Sequence, residues 1–121
     1  MVRLSNTLPD QLHQLHENSL PGKSLLYDFG EGARYRLTFV DDTNLDVTVV
    51  EDSFFAPGTV NHCTVEITQL RDSLVMITWE EKESSNTVVN VDDFSSHVSY
   101  TNITTMSSGQ FWRLKGTITE E

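Results

Sequence analysis

The sequence predicts an all-β protein: an antiparallel, up-and-down barrel of eight strands, preceded by a short N-terminal helix. Three observations carry the prediction. From Lys23 onward the chain falls into about eight β-rich runs of alternating apolar and polar residues, the period of a strand with one wetted face. The connectors, among them Gly30-Glu31-Gly32, Asp41-Asp42-Thr43-Asn44, Arg71-Asp72-Ser73 and Ser107-Ser108-Gly109, are mostly of hairpin length and leave no room for a crossover helix. A hydrophobic fraction of 37%, with Thr and Ser between the apolar residues, suits half-exposed antiparallel strands better than a doubly covered parallel sheet. Closing such a meander removes the edges that would otherwise pair with other chains.

The elements follow in chain order. Leu8, Leu12 and Leu15 recur at helical spacing after Thr7, Pro9 suits a first turn, and Asp10 completes a Thr-x-x-Asp capping box. A helix is expected over Pro9–Glu17, ended by Leu20-Pro21-Gly22. The strands expected are Ser24–Phe29, Arg34–Val40, Leu45–Val50, Thr59–Leu70, Leu74–Glu81, Thr87–Val91, His97–Ile103 and Gln110–Thr119. The least regular stretch is Glu51–Gly58, where Phe54 and Phe55 stand beside Pro57, as in a lid loop. No repeat, linker or low-complexity tract divides residues 1–121, which read as a single domain.

Choosing the more apolar face of each strand predicts an interior of Leu25, Tyr27, Phe29, Tyr35, Leu37 and Phe39, then Leu45, Val47 and Val49. The series continues with Cys63, Val65, Ile67, Val75, Ile77 and Trp79, and ends with Val98, Tyr100, Trp112, Leu114 and Ile118. Glu81 follows Trp79 on the same face, which places an acid where the interior meets water. Buried tyrosines and tryptophans carry O–H and N–H groups that seek partners, so this interior suits a polar-aromatic ligand better than a fatty chain. An eight-stranded barrel is just wide enough either to hold one small ligand or to be plugged by its own side chains.

Eighteen acids against 8 bases give a formal charge of −10. A polyanion would be repelled, so neither nucleic acid nor an anionic membrane surface is an expected partner. The apolar runs are also too short to span a bilayer. The single cysteine, Cys63, reads as a small buried hydrophobe, and the N-terminus lacks the apolar core of a signal peptide, so a cytoplasmic location is expected. His13 and His16, followed by Glu17, have a spacing on the predicted helix that could place two ligands on one face, but a third ligand close in sequence is missing, and His62 and His97 read as structural. No metal or cofactor is expected, and phosphate-cradling glycine loops and nucleophile elbows are missing from the sequence.

Two segments resemble the MoaF-like family of small lipocalin-like, or calycin, barrels. They are Leu20-Pro21-Gly22-Lys23-Ser24-Leu25-Leu26-Tyr27-Asp28-Phe29-Gly30 with the following Tyr35, and Leu70-Arg71-Asp72 through Trp79-Glu80-Glu81 to Val88-Val89-Asn90-Val91-Asp92-Asp93-Phe94. The same residues are distantly similar to the phenolic acid decarboxylases. That resemblance implies a substrate-holding Tyr-x-Tyr on the first strand, with an arginine and an acid deeper in the barrel. Here Tyr27 matches the first tyrosine, Phe29 stands at the second, the acid falls on Asp72, and Leu45–Val50 offers no arginine.

The expected function is therefore lumenal binding of an aromatic or polar-apolar metabolite by Tyr27, Phe29, Tyr35, Leu37, Trp79, Tyr100 and Trp112. The alternative is a lyase- or isomerase-type enzyme acting on a small aromatic acid, with Tyr27 and a carboxylate, Asp72 or Glu81, as its acid/base groups. A homodimer through the outer strand faces is the expected assembly.

Overall fold

The computed structural model describes residues 19–121; the helix expected over Pro9–Glu17, with His13 and His16, lies outside the described residues. Eight strands follow: β1 (Ser24–Asp28), β2 (Arg34–Phe39), β3 (Asn44–Glu51), β4 (Val60–Arg71), β5 (Leu74–Glu81), β6 (Asn86–Asp93), β7 (Val98–Thr105) and β8 (Gln110–Glu120). Each pairs antiparallel with the next, and β8 pairs with β1 to close the barrel. Every strand runs within a residue or two of its expected bounds. The difference with consequences is at β6, which continues through Asp92 and Asp93 instead of ending at Val91.

Strand parity places the core. Leu25 and Tyr27 from β1, Leu37 and Phe39 from β2, Leu45 and Val47 from β3, Cys63 and Val65 from β4, and Val75, Ile77 and Trp79 from β5 are all buried. One end of the barrel is shut: Leu20, Phe39 and Phe94 are fully buried there. Backbone bonds stitch this end, with Gly22 N–H donating to Phe39 O at 2.6 Å and Phe94 N–H donating to Ser73 O at 2.8 Å. The opposite end carries the β1–β2, β3–β4, β5–β6 and β7–β8 connections and stays open.

The expected inner face is inverted on β7. Ser99 and Thr101 are buried, whereas Tyr100 is 52% exposed on the outer wall, 5.8 Å beneath the ammonium of Lys115. The reason is register. Asp92 lies opposite Ser99 and Asn90 opposite Thr101, so the inner β6–β7 wall is polar and an apolarity rule selects its outside. Trp112 keeps the expected parity but is 40% exposed, at the open end.

Candidate functional site

The lumen is a cavity of about 80 Å³ that opens into a wider vestibule of about 470 Å³ at the open end. Tyr27, Phe29, Tyr35 and Leu37 from β1 and β2 and Trp79 from β5 line the inner chamber, as do Val47, Val88 and Ile103. Trp112 and Leu114 border the vestibule, with Phe54 and Phe55 of the β3–β4 loop. The loop's turn is built by Asp52, whose Oδ1 accepts the Phe54 backbone N–H at 2.6 Å. Phe29, Tyr35, Asp52, Phe55, Ser84 and Asn86 border both compartments, which therefore communicate.

Phe29 owes its place to a glycine across the sheet. A Cβ built on Gly116 of β8 would lie 2.5 Å from the Phe29 ring and 2.6 Å from the Asp28 carbonyl oxygen. Only a residue without a side chain allows that approach. Phe29 then stands 6.5 Å from Tyr27 and 6.2 Å from Tyr35 between ring centroids, a short aromatic ladder from the lumen to the mouth.

The lumen's polar groups form two clusters. At the rim, Glu81 accepts the indole N–H of Trp79 at 2.9 Å and the Ser84 hydroxyl at 2.9 Å, while the Tyr35 hydroxyl donates to Asp52. Burial and the Asp52 carboxylate push the Tyr35 phenol far above its ordinary range. Deeper, the buried Tyr27 hydroxyl donates to Asp92 Oδ2 at 2.5 Å, and the Ser99 hydroxyl donates to Asp92 Oδ1 at 2.6 Å. Asp92 is fully buried. Desolvation raises its carboxyl to about 7, prevailing over the hydrogen bonds from Ser99, Tyr27 and Asn90 that favour the ionised form. Tyr27 is likewise raised well above 10.0 by burial and by Asp92.

Asn61 of β4 and Asn90 of β6 complete the chamber wall. Both are at least nine-tenths buried, and the side-chain oxygen of each has no hydrogen-bond partner. Neither asparagine is among the site residues expected from the sequence, and nor is Asp92, which lies just beyond the expected end of its strand at Val91. A signal for the β6 pair was available. With Trp79 inward, its hairpin partner Val88 must be inward too, and so must Asn90 and Asp92.

The expected site residues are only partly gathered. Tyr27, Phe29, Tyr35, Leu37, Trp79 and Glu81 meet at the lumen, with Trp112 at its mouth. Tyr100 faces outward, and Asp72 sits exposed in the β4–β5 turn at the shut end, a barrel's length from the cavity. An acid/base pair of Tyr27 with Asp72 is therefore not formed; the acid on Tyr27 is Asp92. Cys63 faces the core, and burial, followed by the acids Glu81, Glu83 and Asp46, pushes its thiol up to about 12. Among the described residues no group of three or more His, Cys, Asp or Glu side chains is placed to hold a metal, and no helix is long and apolar enough to cross a membrane.

No curated protein matches this chain. Fifteen solved chains do. One is the crystal structure of a Burkholderia vietnamiensis protein provisionally described as a β-lactamase, similar over 85% of this chain and 96% of its own, at 21% identity and a TM-score of 0.74. At that identity the likeness speaks to the fold alone. The MoaF-like family matches residues 21–119, all but the two ends of the barrel chain, and the protein belongs to that family.

Proposed function

We propose that the protein binds one small organic molecule in its lumen, in the manner of a lipocalin-like barrel. The observation that carries this reading is the pair of unpartnered amide oxygens, Asn61 Oδ1 and Asn90 Oδ1, on the wall of a cavity that is otherwise mostly apolar and aromatic. A buried polar atom left unpaired costs about 1–3 kcal/mol, and a barrel that only had to fill itself would place aliphatic side chains there. A ligand with hydrogen-bond donors removes that cost. The vestibule is of the size that takes a drug-like body, and the chamber behind it takes a polar head.

A lyase- or isomerase-type step is the second reading, favoured by the Tyr27–Asp92 contact with its carboxyl near neutrality. It is weaker, because Asp92 lies behind Tyr27 and does not border the cavity, and because Tyr27 holds its proton more tightly than a free phenol. We also propose a homodimer through the outer faces of β6 to β8, where Val89, Tyr100 and Phe111 are exposed; light scattering in solution checks it.

Thermal shift across a library of small aromatic and alicyclic metabolites tests lumenal binding. A ligand at 100 times its Kd adds about 2.7 kcal/mol of stability, and its binding should quench or enhance the emission of Trp79. Asn90→Leu, which fills the chamber with an apolar group, should abolish that response in a variant that still folds, its melting point set by the lost bond to Asp92 against the gained apolar packing. A library that moves no melting point, or an Asn90→Leu variant that binds as well as wild type, refutes lumenal binding.

A further inference from the structure

We infer that the ligand of this lumen is an organic cation, a protonated amine on an aryl or alkyl body, and not an aromatic acid. This deepens the lumen-binding reading and rests on it. None of the described residues that line the chamber or the vestibule is a lysine, arginine or histidine, whereas Asp52 and Glu81 border the chamber and Glu31 the vestibule. An anion entering here would meet carboxylates with no compensating charge, and a net charge of −10 would oppose its approach.

The hydrogen-bonding inventory points the same way. The donors at the site are largely committed to its own acids: Tyr27 to Asp92, Tyr35 to Asp52, and Trp79 and Ser84 to Glu81. What is left over is acceptors, the buried oxygens of Asn61 and Asn90, with the Tyr27 phenol oxygen still free to accept. A primary ammonium offers three donors and no acceptor, the complement of that set. The walls supply the rest of the recognition: Phe29, Tyr35, Phe55 and Trp79 line the chamber, and aromatic rings attract a desolvated cation.

Size fixes the orientation. A dry cavity of about 150 Å³ holds benzene, so the inner chamber, at about 80 Å³, is too small for a ring and suits the ammonium head. The body then lies in the vestibule against Phe54 and Trp112. For an inorganic cation, the described residues bring together no group of three or more His, Cys, Asp or Glu side chains placed to hold it.

The test uses three molecules that share one skeleton and differ in head group: 3-phenylpropylamine, 3-phenylpropan-1-ol and 3-phenylpropionate. Their affinities for the wild-type protein are measured by titration calorimetry at low ionic strength. The amine should bind about tenfold or more tighter than the alcohol, and the acid weaker than both. If the alcohol or the acid binds as tightly as the amine, the cation assignment fails while lumenal binding stands; if none of the three binds, the cation assignment fails and the metabolite library alone decides lumenal binding. Glu81→Gln keeps an acceptor for the Trp79 indole but removes the charge, and should lower the amine-to-alcohol preference by about fivefold. Asp52→Asn is the second variant, on a loop, should the first not fold. A preference unchanged in both variants overturns the assignment.

Discussion

Asp92→Asn is the sharpest probe of the interior. Asp92 is fully buried, with no cation beside it, and its carboxyl sits at about 7 against 3.8 for an ordinary aspartate. At 1.36 kcal/mol per unit, that difference of roughly 3 units corresponds to about 4 kcal/mol. The folded value is raised, so folding takes up a proton between the two values. The contribution is present at about pH 4 and is lost progressively as the pH rises toward 7, after which the penalty is constant. Other shifted groups fall outside this window: Tyr27, Tyr35 and Cys63 are raised to the alkaline side, and Asp41 and Asp93 are lowered to the acid side.

The assay is urea unfolding of wild type and variant between about pH 4 and pH 8, with the difference in stability plotted against pH so that groups common to both cancel. An amide cannot ionise, so the variant should gain on wild type by about 4 kcal/mol across that interval, whatever offset its altered bonds to Tyr27 and Ser99 introduce. A difference that stays constant within about 1 kcal/mol would refute the reasoning, because it would mean that Ser99, Tyr27 and Asn90 fully replace the hydration that Asp92 loses.

Two further outcomes follow from packing. Gly116→Ala should destabilise the barrel by about 1–3 kcal/mol and weaken ligand binding, since the new methyl meets the Asp28 carbonyl, which β1–β8 pairing holds in place, as well as the Phe29 ring; thermal melts and ligand titration on the variant check both. Cys63, with its thiol at about 12, should resist alkylation by iodoacetamide at neutral pH in the folded protein and react once urea unfolds it, a contrast of at least about a thousandfold in rate that mass spectrometry can follow.

The barrel was legible because its strands alternate cleanly and its connectors are short, so that period and turn chemistry agree with closure. Inward placement of Tyr27, Leu37 and Trp79 followed from the same alternation. Asn61 shares the parity of Cys63 and Val65, and Asn90 and Asp92 that of Val88, but Ser99 and Thr101 were not legible by that route, for a physical reason. A rule that assigns the more apolar face to the interior presumes that the interior is apolar, and β7 shows how it fails: Tyr100 and Val98 outrank Ser99 and Thr101 in hydrophobicity, yet register with β6 turns the hydroxyls inward. Asp72 was misplaced differently. The resemblance put the acid there, whereas the connector Arg71-Asp72-Ser73 stands at the opposite end of β5 from Glu81, and that β4–β5 turn belongs to the shut end.

The misread positions are the ones that distinguish a container from a plug. Apolar contacts shut one end with Leu20, Phe39 and Phe94, and such contacts would suffice to stabilise a filled cylinder of this size. Along the β6–β7 wall the chain instead buries a carboxyl with no counter-ion, two hydroxyls and an amide, an arrangement that desolvation penalises and that hydrophobic replacements would commonly match or improve. Local rules are expected to break where a protein holds groups for a purpose other than stability. Among the described residues three buried side-chain oxygens lack a partner; Glu120 Oε1 lies away from the lumen, and the other two, on Asn61 and Asn90, belong to residues that line the same cavity. Substitutions such as Asn61→Leu, which replace an amide with an unpartnered oxygen by an apolar group, should therefore raise stability and cost ligand affinity, whereas equally conservative changes at the shut end should cost stability and leave affinity alone.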